Sequence, residues 1–268
     1  MSKRLDVIVC ELLGVSREYA KELIQAGKVA VDGGIVTKSG VKLPENVSIY
    51  VDGGTPKFVS RGGFKLEKAI DTFGIDLHGL NCLDIGAATG GFTDCMLQNG
   101  ANAVLAVENG RGQMAEKLLV DPRVICREGL DIRDLTANDM PFIPQFIVAD
   151  LSFISITLVL PKIAELLSPN KDAVLLIKPQ FEVGRGKVGK NGVVKNPKDH
   201  ITTLKSVCEV AKSHGLTPVG LDFSPIKGQN GNIEYLLHTI NGHSSNIITL
   251  EHNSEIEAVV DVAFKELV

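Results

Sequence analysis

The sequence predicts an α/β protein with a mostly parallel, seven-stranded sheet of the doubly wound type, preceded by a small α+β module. Two observations predict the large unit: apolar runs and helical segments alternate five times from residue 80 onward, and a glycine-rich turn follows the first run. A third observation predicts the small module, because two short helices and short strands fall within about 55 residues. We therefore expect two domains, at residues 1–56 and 57–268.

The composition is typical of a globular protein, with 44% hydrophobic and 22% charged residues among 268. No apolar run approaches the ~20 residues that a membrane span needs, and no apolar signal core follows the N-terminus. Five scattered cysteines without a Cys-x-x-Cys motif indicate neither a disulfide framework nor a metal site. We expect a cytoplasmic protein that uses no metal and does not act at a membrane.

The charges are unevenly distributed, although the net charge is only −4. Residues 1–68 hold eleven Lys or Arg against eight Asp or Glu, and residues 178–198 hold six basic residues against one acid. Local basic regions on an acidic body are compatible with RNA contact. On charge alone, two solvated surfaces with no ligand are an equally good interpretation.

The N-terminal module begins with a helical pattern at residues 5–13 and a second helix that Ser16 can cap, followed by strands at residues 29–31 and 47–51. Three of its segments, Arg4-Leu5-Asp6, Ser16-Arg17 and Gly27-Lys28-Val29, together with Val31-Asp32-Gly33, resemble the RNA-binding domain of ribosomal protein S-four. The resemblance implies that basic side chains contact RNA phosphates. These residues are Arg4, Arg17, Lys21, Lys28 and Lys38.

The large unit opens with a helix that follows Ser60 or Gly62 and stops at Gly74, with Leu66, Ala69, Ile70 and Phe73 on its buried face. A buried strand over residues 80–85 then runs into the turn Gly86-Ala87-Ala88-Thr89-Gly90-Gly91. The turn has neither the dinucleotide spacing nor a Walker lysine. It resembles the S-adenosylmethionine loop of class I methyltransferases, although a tight turn that binds nothing would look similar. The resemblance implies cofactor contacts from Asp84, Gly86, Ala87, Thr89, Gly90, Gly91 and Phe92.

The next two strands, at residues 103–107 and 124–126, each lead to an acidic residue, Glu108 and Asp131. Glu108 lies about 22 residues after Gly86, where an acid can accept both ribose hydroxyls of a nucleoside cofactor. Asp131 could meet an adenine amino group. Between the two strands the pattern predicts a helix over residues 111–119.

Charged residues also end the fourth and fifth strands, at residues 146–149 and 173–177. Asp150 follows the fourth strand and Lys178 the fifth. Because a buried lysine is costly unless it is paired, we expect Lys178 to neighbour Asp150. Beyond Lys178 the pattern predicts a lid loop at residues 184–197, a helix at 199–213, a closing hairpin of strands at 217–223 and 233–239, and a last helix.

Several segments together resemble the TlyA family, which is similar to the FtsJ-type RNA 2′-O-methyltransferases. They are Ser60-Arg61-Gly62-Gly63 with Lys65-Leu66, the Asp84 loop, Asp150-Leu151-Ser152-Phe153-Ile154-Ser155, Ile177-Lys178-Pro179-Gln180-Phe181-Glu182 and Gly231-Asn232-Ile233-Glu234. The resemblance spans nearly the whole chain. It implies a catalytic tetrad, S-adenosylmethionine as cofactor and transfer to a ribose, of a cytidine, in ribosomal RNA. The tetrad falls on Lys65, Asp150, Lys178 and Glu234.

Two residues depart from the pattern that we expect of such proteins: Glu108 stands where Asp is usual, and Asp131 where Asn is commoner. The longer arm of Glu108 should still reach a ribose, whereas a carboxylate at Asp131 can only accept a hydrogen bond from an adenine amino group. Further RNA contacts are predicted at four basic residues of the large unit. They are Arg61, Arg185, Lys187 and Lys190.

The tetrad must orient a ribose hydroxyl and help to remove its proton, since the sulfonium already activates the methyl group. A lysine acts as a base only if its pKa is lowered, and Lys65 near Lys178 would supply the second cation. We therefore assign Lys178 the base or hydroxyl-orienting role, Asp150 and Lys65 support, and Glu234 positioning. Which lysine loses its proton stays open at this point.

Three other functions remain open. The family names suggest a membrane-active haemolysin, but the last helix has an acidic polar face, which disfavours anionic membranes. A non-catalytic ribosome-binding protein is a second alternative, and a methyltransferase with another nucleic-acid target is a third. The sequence leaves the modified nucleotide, the ribosomal subunit and the oligomeric state open.

Overall fold

The structure is a computed structural model that describes residues 2–44, 47–53, 56–189, 191–242 and 253–268, with only the backbone of Arg185, Gln229 and Asn253. The N-terminal module packs two helices on short strands. The helices are α1 (Leu5–Leu13) and α2 (Arg17–Gln25), and the strands are β1 (Lys3–Arg4), β2 (Val29–Val31), β3 (Gly34–Ile35), β4 (Lys42–Leu43) and β5 (Ile49–Val51). Ser16 caps α2 as predicted, since its side chain accepts from the Tyr19 amide at 3.1 Å.

The strands of the module form an antiparallel sheet in the order β3-β2-β5 and a separate pair β1-β4. The sequence pattern missed β1, β3 and β4 because a two-residue strand shows no alternation. Seven side chains make the core: Leu5, Val9, Val15, Ala20, Leu23, Ile24 and Val29. A core of this size is small, so the module gains from its contact with the large unit.

The large unit contains the predicted seven-stranded sheet. Its strands are β6 (Asn81–Ile85), β7 (Ala103–Glu108), β8 (Val124–Glu128), β9 (Phe146–Ala149), β10 (Asp172–Ile177), β11 (Leu216–Phe223) and β12 (Tyr235–Asn241). They lie in the order β11-β12-β10-β9-β6-β7-β8, and β12 alone runs antiparallel to both of its neighbours. The predicted closing hairpin is therefore present, and its second strand is inserted beside β10.

Helices cover both faces of the sheet, which explains why the central strands are apolar throughout. They are α3 (Gly62–Phe73), α4 (Gly91–Gln98), α5 (Glu116–Leu119), α6 (Leu160–Leu166), α7 (Pro179–Glu182), α8 (Pro197–Ser213) and α9 (Asn253–Leu267). One core contains residues of α3, α4 and α5 together with Cys82 of β6. The other contains residues of α6, α8 and α9 together with Leu83 of β6. Successive residues of a strand thus serve opposite faces.

The helix predicted over residues 111–119 is shorter than expected, and this prediction is wrong for its first half. The Glu128 carboxylate accepts from the amides of Gly112 at 2.6 Å, Gln113 at 2.8 Å and Met114 at 3.2 Å. Gly112 also has a φ of +66°. A side chain thus binds the amides of this turn, and only Glu116–Leu119 is helical.

The two units touch through the segment that precedes α3. The Ser16 amide donates to the Val59 carbonyl at 2.7 Å, and Arg61 pairs with Glu22 of α2 at 3.1 Å. Phe58 is fully buried in the core of the large unit. The contact places α2 over the carboxyl end of the sheet. In the described part of the chain, no helix is both long and apolar enough to cross a membrane.

Candidate active site

Two clefts open at the carboxyl ends of the parallel strands, where ligands bind in folds of this kind. Each has a volume of about 720 Å³. Gly86, Ala88, Asp150 and Ser152 line both clefts, so the two are neighbours that share a wall. The first, the tetrad cleft, also contains residues of α2 and α3. The second, the nucleoside cleft, lies between the ends of β6, β7 and β9.

The four residues predicted as a tetrad form one continuous chain of ion pairs. Lys178 Nζ lies 2.5 Å from Asp150 Oδ1, and Lys65 Nζ lies 3.8 Å from Asp150 Oδ2. Lys65 also donates to Glu234 Oε2 at 2.6 Å. The predicted pair between Lys178 and Asp150 is therefore present. Two ammonium groups and two carboxylates balance one another, which lowers the cost of their burial.

Each tetrad residue comes from a different element. Lys65 lies in the first turns of α3, Asp150 follows β9, Lys178 follows β10 and Glu234 directly precedes β12. Because β12 is antiparallel, its amino end lies beside the carboxyl end of β10. This reversal is what brings Glu234 to the same edge as Asp150 and Lys178. Both lysines and Glu234 are more than nine-tenths buried.

The environment of Lys65 differs from what the sequence suggested. Burial alone would lower the pKa of Lys65, but Asp150 and Glu234 outweigh it and hold that pKa above the ordinary value. Burial likewise opposes the charged form of Asp150, and the two lysines reverse its effect, so the pKa of Asp150 is lowered. Lys65 therefore stays a cation at neutral pH and is unsuited to act as a base.

Two further contacts hold the reactive end of the tetrad. Lys178 Nζ donates to Ser152 Oγ at 3.0 Å. A Cβ atom at Gly228 would overlap the Glu234 carboxylate, so the backbone of this turn lies directly against that side chain. The sequence pattern indicated Ser152 only as part of the segment 150–155, and it did not indicate Gly228. The available signal was the pair Gly228 and Gly231, which enclose Gln229 and Asn230 a short distance before Glu234.

The glycine turn forms the wall between the clefts. Gly86 has a φ of +82°, and a Cβ there would overlap the Asp150 carbonyl oxygen. Cβ atoms at Gly90 and Gly91 would overlap Leu118 and Ser60 respectively. All three glycines are thus needed for close packing. Ala87 and Phe92 line the tetrad cleft, whereas the described lining of the two clefts does not include Thr89 or Gly90.

Asp84 lies beneath this turn and is completely buried. Its Oδ2 accepts from Thr93 Oγ1 at 2.6 Å, and its Oδ1 has no hydrogen-bond partner in the described part of the chain. Burial raises the pKa of Asp84 to about 7. Asp84 therefore supports the turn from below, and the described lining of the two clefts does not include it.

Glu108 and Asp131 both line the nucleoside cleft. Glu108 is held by two backbone amides, Ala88 to Oε2 at 3.0 Å and Gly110 to Oε1 at 2.7 Å. Asp131 instead caps a short 3-10 turn and pairs with Arg133 at 2.5 Å. Glu108 is thus fixed at the mouth of the cleft, and the Asp131 carboxylate is already engaged by a cation.

The predicted RNA-contact residues lie in several environments. Arg4 and Arg17 both pair with the buried Asp6, at 2.9 and 3.0 Å, and Arg61 pairs with Glu22. Lys28 and Lys38 are exposed, and Lys21 is half-buried. Lys187 is exposed and pairs with Asp199. The Arg185 side chain and the whole of Lys190 lie outside the described residues.

Comparisons with known proteins agree with this geometry. The sequence model of the FtsJ-like methyltransferase family matches residues 58–240, and that of the S4 domain matches residues 3–49. The chain is 42% identical to "16S/23S rRNA (cytidine-2′-O)-methyltransferase TlyA" of Mycobacterium tuberculosis, over 84% of each chain. It is 43% identical to "Hemolysin A" of Brachyspira hyodysenteriae, over 84% of this chain and 94% of that one.

A solved structure, "Putative hemolysin" from Streptococcus thermophilus, superposes with a TM-score of 0.81 at 39% identity. It covers 99% of this chain, and this chain covers 96% of it. The likeness therefore extends over both units and not over the sheet alone. The chain belongs to the FtsJ-like methyltransferase family and carries an S4 domain before its methyltransferase domain.

Proposed function

We propose that this protein transfers the methyl group of S-adenosylmethionine to the 2′-hydroxyl of a ribose in ribosomal RNA, with cytidine as the modified nucleoside. The observation that carries the proposal is the ion-paired tetrad of Lys65, Asp150, Lys178 and Glu234 beside a nucleoside-sized cleft. The printed function of the TlyA relative supports the choice of substrate and nucleoside. The domain boundary that fits this assignment lies between residues 56 and 57.

The nucleoside cleft suits the cofactor by size and by chemistry. Its volume of about 720 Å³ lies in the usual range for small-molecule pockets, roughly 300–1,000 Å³. Glu108 offers carboxylate oxygens to ribose hydroxyls, and Val107, Leu130 and Ile132 offer apolar walls to a flat ring. Gly86 and Ala88 bring the backbone close on the other side. When bound, S-adenosylmethionine supplies a methyl group that its sulfonium has already activated.

The chain's own residues then have to hold the acceptor oxygen and manage its proton. Lys178 contacts one carboxylate and one hydroxyl, whereas Lys65 lies between two carboxylates that keep it protonated. We assign Lys178 to orient the 2′-hydroxyl and, in its neutral amine form, to receive the hydroxyl proton and become an ammonium group paired with Asp150. Asp150 orients Lys178, and Lys65 and Glu234 fix Asp150 from behind. Positioning of this kind, together with proton transfer, supplies the rate enhancement.

The S4 domain supplies the contacts that select RNA. Lys21, Lys28 and Lys38, with Arg4 and Arg17 on Asp6, provide cations for phosphates on the face around α1 and α2. Phosphate contacts of this kind orient the substrate and carry no sequence information. In this proposal the S4 domain and Arg61, Arg185, Lys187 and Lys190 hold the RNA while the tetrad acts on one ribose.

The test incubates the protein with labelled S-adenosylmethionine and separately purified small and large ribosomal subunits that lack the modification. Label in one of the ribosomal RNAs, mapped to a 2′-O-methylated cytidine, is the expected result. Label that maps to a base, or to another nucleoside, contradicts the corresponding part of the proposal. A preparation that binds S-adenosylmethionine but labels neither subunit contradicts the ribosomal substrate.

Membrane activity is the second candidate, because two of the relatives carry the name hemolysin. The polar face of α9 is acidic, with Glu255, Glu257 and Asp261, which disfavours binding to anionic membranes. We expect no release of dye from anionic or zwitterionic vesicles at protein concentrations that saturate RNA binding. Dye release by the wild type, with equal release by the Lys178→Ala variant, would favour the membrane function.

A further inference from the structure

The tetrad cleft contains a cation that none of the sequence motifs identifies. Lys227 lies in the turn between β11 and β12 and lines the same cleft as Lys65, Asp150 and Lys178. It is half-buried. Its stem lies along Gly231, where a Cβ atom would be 3.9 Å from Lys227 Cδ. A lysine held by its stem keeps its ammonium group at the polar end of the side chain, facing water or a ligand.

The other cations of the cleft are already neutralised. Arg61 pairs with Glu22 at 3.1 Å, Lys65 with Glu234 at 2.6 Å and Lys178 with Asp150 at 2.5 Å. Lys227 has no carboxylate partner among the residues that the structure describes. Glu18 on α2 is likewise unpaired in the described lining, but it belongs to the S4 domain and is exposed. Among the described residues, Lys227 is therefore the cation without a carboxylate partner on the methyltransferase side of the cleft.

The turn that carries Lys227 is held by three hydrogen bonds and one close contact. The Ser224 amide donates to the Glu234 carbonyl at 2.8 Å, and Ser224 Oγ donates to the Ile226 carbonyl at 2.6 Å. The Gly228 amide donates to the Asn232 carbonyl at 2.9 Å, and the backbone of Gly228 lies against the Glu234 side chain. Lys227 is thus adjacent in sequence to Gly228, which contacts the tetrad residue Glu234.

The substrate brings a charge to this place. The 2′-hydroxyl and the 3′-phosphate of a nucleotide leave adjacent carbons of one ribose. A 2′-oxygen at Lys178 therefore carries a phosphate anion into the same cleft, where the tetrad itself is electrically balanced. We propose that Lys227 binds the phosphate on the 3′ side of the target ribose and so positions the 2′-oxygen. This inference rests on the proposed ribose methylation and adds a contact to it.

The first test measures RNA binding without cofactor, so that it is independent of methyl transfer. Fluorescence anisotropy with a labelled ribosomal RNA transcript at several salt concentrations compares the wild type with Lys227→Gln and Lys227→Arg. Loss of one phosphate contact should reduce the slope of log affinity against log salt by about 0.7–0.9. We expect this reduction for Lys227→Gln and a slope close to that of the wild type for Lys227→Arg.

Lys212→Gln is the matched control, because Lys212 is exposed and lies far from the clefts. It is in the last turn of α8, just before β11 begins at the edge of the sheet opposite the clefts. This variant should bind RNA with the wild-type slope. An unchanged slope for Lys227→Gln overturns the proposal, as does an equal loss for Lys227→Arg. These results stand even if the wild type methylates no ribosomal RNA, in which case the proposed function fails separately.

The second test uses methyl transfer to an RNA in which the linkage 3′ of the mapped nucleotide is an uncharged methylphosphonate. For the wild type we expect this change to lower kcat/KM about tenfold, mainly through KM. On normal RNA the kcat/KM of Lys227→Gln should be about tenfold below that of the wild type. On the modified RNA its kcat/KM should fall by less than a further twofold. If the two losses multiply instead, Lys227 does not hold that phosphate. Unchanged affinity for S-adenosylmethionine confirms that Lys227→Gln is folded.

Discussion

The glycine turn and the tetrad of this protein place their carboxylates in opposite electrostatic environments. Asp84 and Asp150 lie on or just after neighbouring parallel strands. Asp84, under the cofactor turn, meets one hydroxyl and has its pKa raised to about 7 by burial. Asp150, in the tetrad, meets two lysines and has a lowered pKa although burial opposes its charge. The partners differ, and so does the depth, since Asp84 is completely buried whereas 22% of the Asp150 side chain is exposed.

The contrast indicates different functions for the two regions. Asp84, which accepts a hydrogen bond from one hydroxyl beneath the glycine turn, supports the backbone of that turn and does not need its charge to do so. A carboxylate held charged between lysines can orient an ammonium group toward a substrate. Four predictions test this contrast, and they run from the largest expected effect to the smallest.

Removing the Lys178 ammonium group from the tetrad should have the largest effect on activity. Lys178→Ala should lower the rate of methyl transfer by more than 10³-fold, because proton transfer and hydroxyl orientation are both lost. Affinity for S-adenosylmethionine, measured by calorimetry, should stay within about twofold of the wild type, since Asp150 keeps Lys65 at 3.8 Å. Full methyl transfer to RNA by this variant would remove Lys178 from the mechanism.

Asp84→Asn should change how stability depends on pH. A carboxyl whose pKa is raised on folding stabilises the protein below its unfolded pKa, and this stabilisation is lost as pH rises through the folded value. With a pKa of about 7, Asp84 should cost roughly 3–4 kcal/mol of stability between pH 4 and pH 8. Chemical denaturation at pH 5 and pH 8 should show a smaller difference for Asp84→Asn than for the wild type.

The control for this measurement is the exposed Asp71, whose replacement by Asn should leave the wild-type difference intact. An unaltered pH dependence in Asp84→Asn would show that Asp84 is charged in the folded protein, and it would remove the contrast with Asp150.

Adding a methyl group to the shared wall should damage the cofactor side. Gly86→Ala combines an unfavourable φ of +82° with overlap on the Asp150 carbonyl, so we expect a loss of about 2 kcal/mol or more of stability. Affinity for S-adenosylmethionine should fall about tenfold. Gly74→Ala is the matched control, because Gly74 has a φ of +65° and no atom within 4 Å of the added Cβ. Equal losses for both variants would mean that close approach at Gly86 has no role.

Gly228→Ala should have the smallest effect and should separate positioning from stability. The added Cβ would displace the Glu234 side chain, which is flexible, so the melting temperature should change little. The rate of methyl transfer should fall about tenfold through kcat, because Lys65 loses its fixed partner. Unchanged kcat would indicate that Glu234 serves folding alone. Thermal unfolding and single-turnover rates measure the two effects.

Much of the fold could be predicted from residue patterns because each element depends on its own neighbours in sequence. The apolar runs at β6, β7, β9 and β10 were read correctly, as was the Ser16 cap. The helix predicted over residues 111–119 was wrong in its first half, because Glu128 at the end of β8 binds the backbone amides there. A side chain sixteen residues away from Gly112 leaves no local signal.

The site divides in the same way. The sequence by itself determined the glycine turn, the order of the strands along the chain and which charged residues end them, because strand periodicity and turn chemistry are local. The tertiary structure alone decided that Lys65 lies between two carboxylates and that Gly228 touches Glu234. It also decided that Lys227 meets no carboxylate in the described part of the chain. The reason is the final hairpin: β11 ends at the carboxyl ends of the parallel strands, so residues 227–234 lie at that edge before the antiparallel β12 begins. Charge balance in a cleft depends on such distances, and no spacing along the chain encodes them.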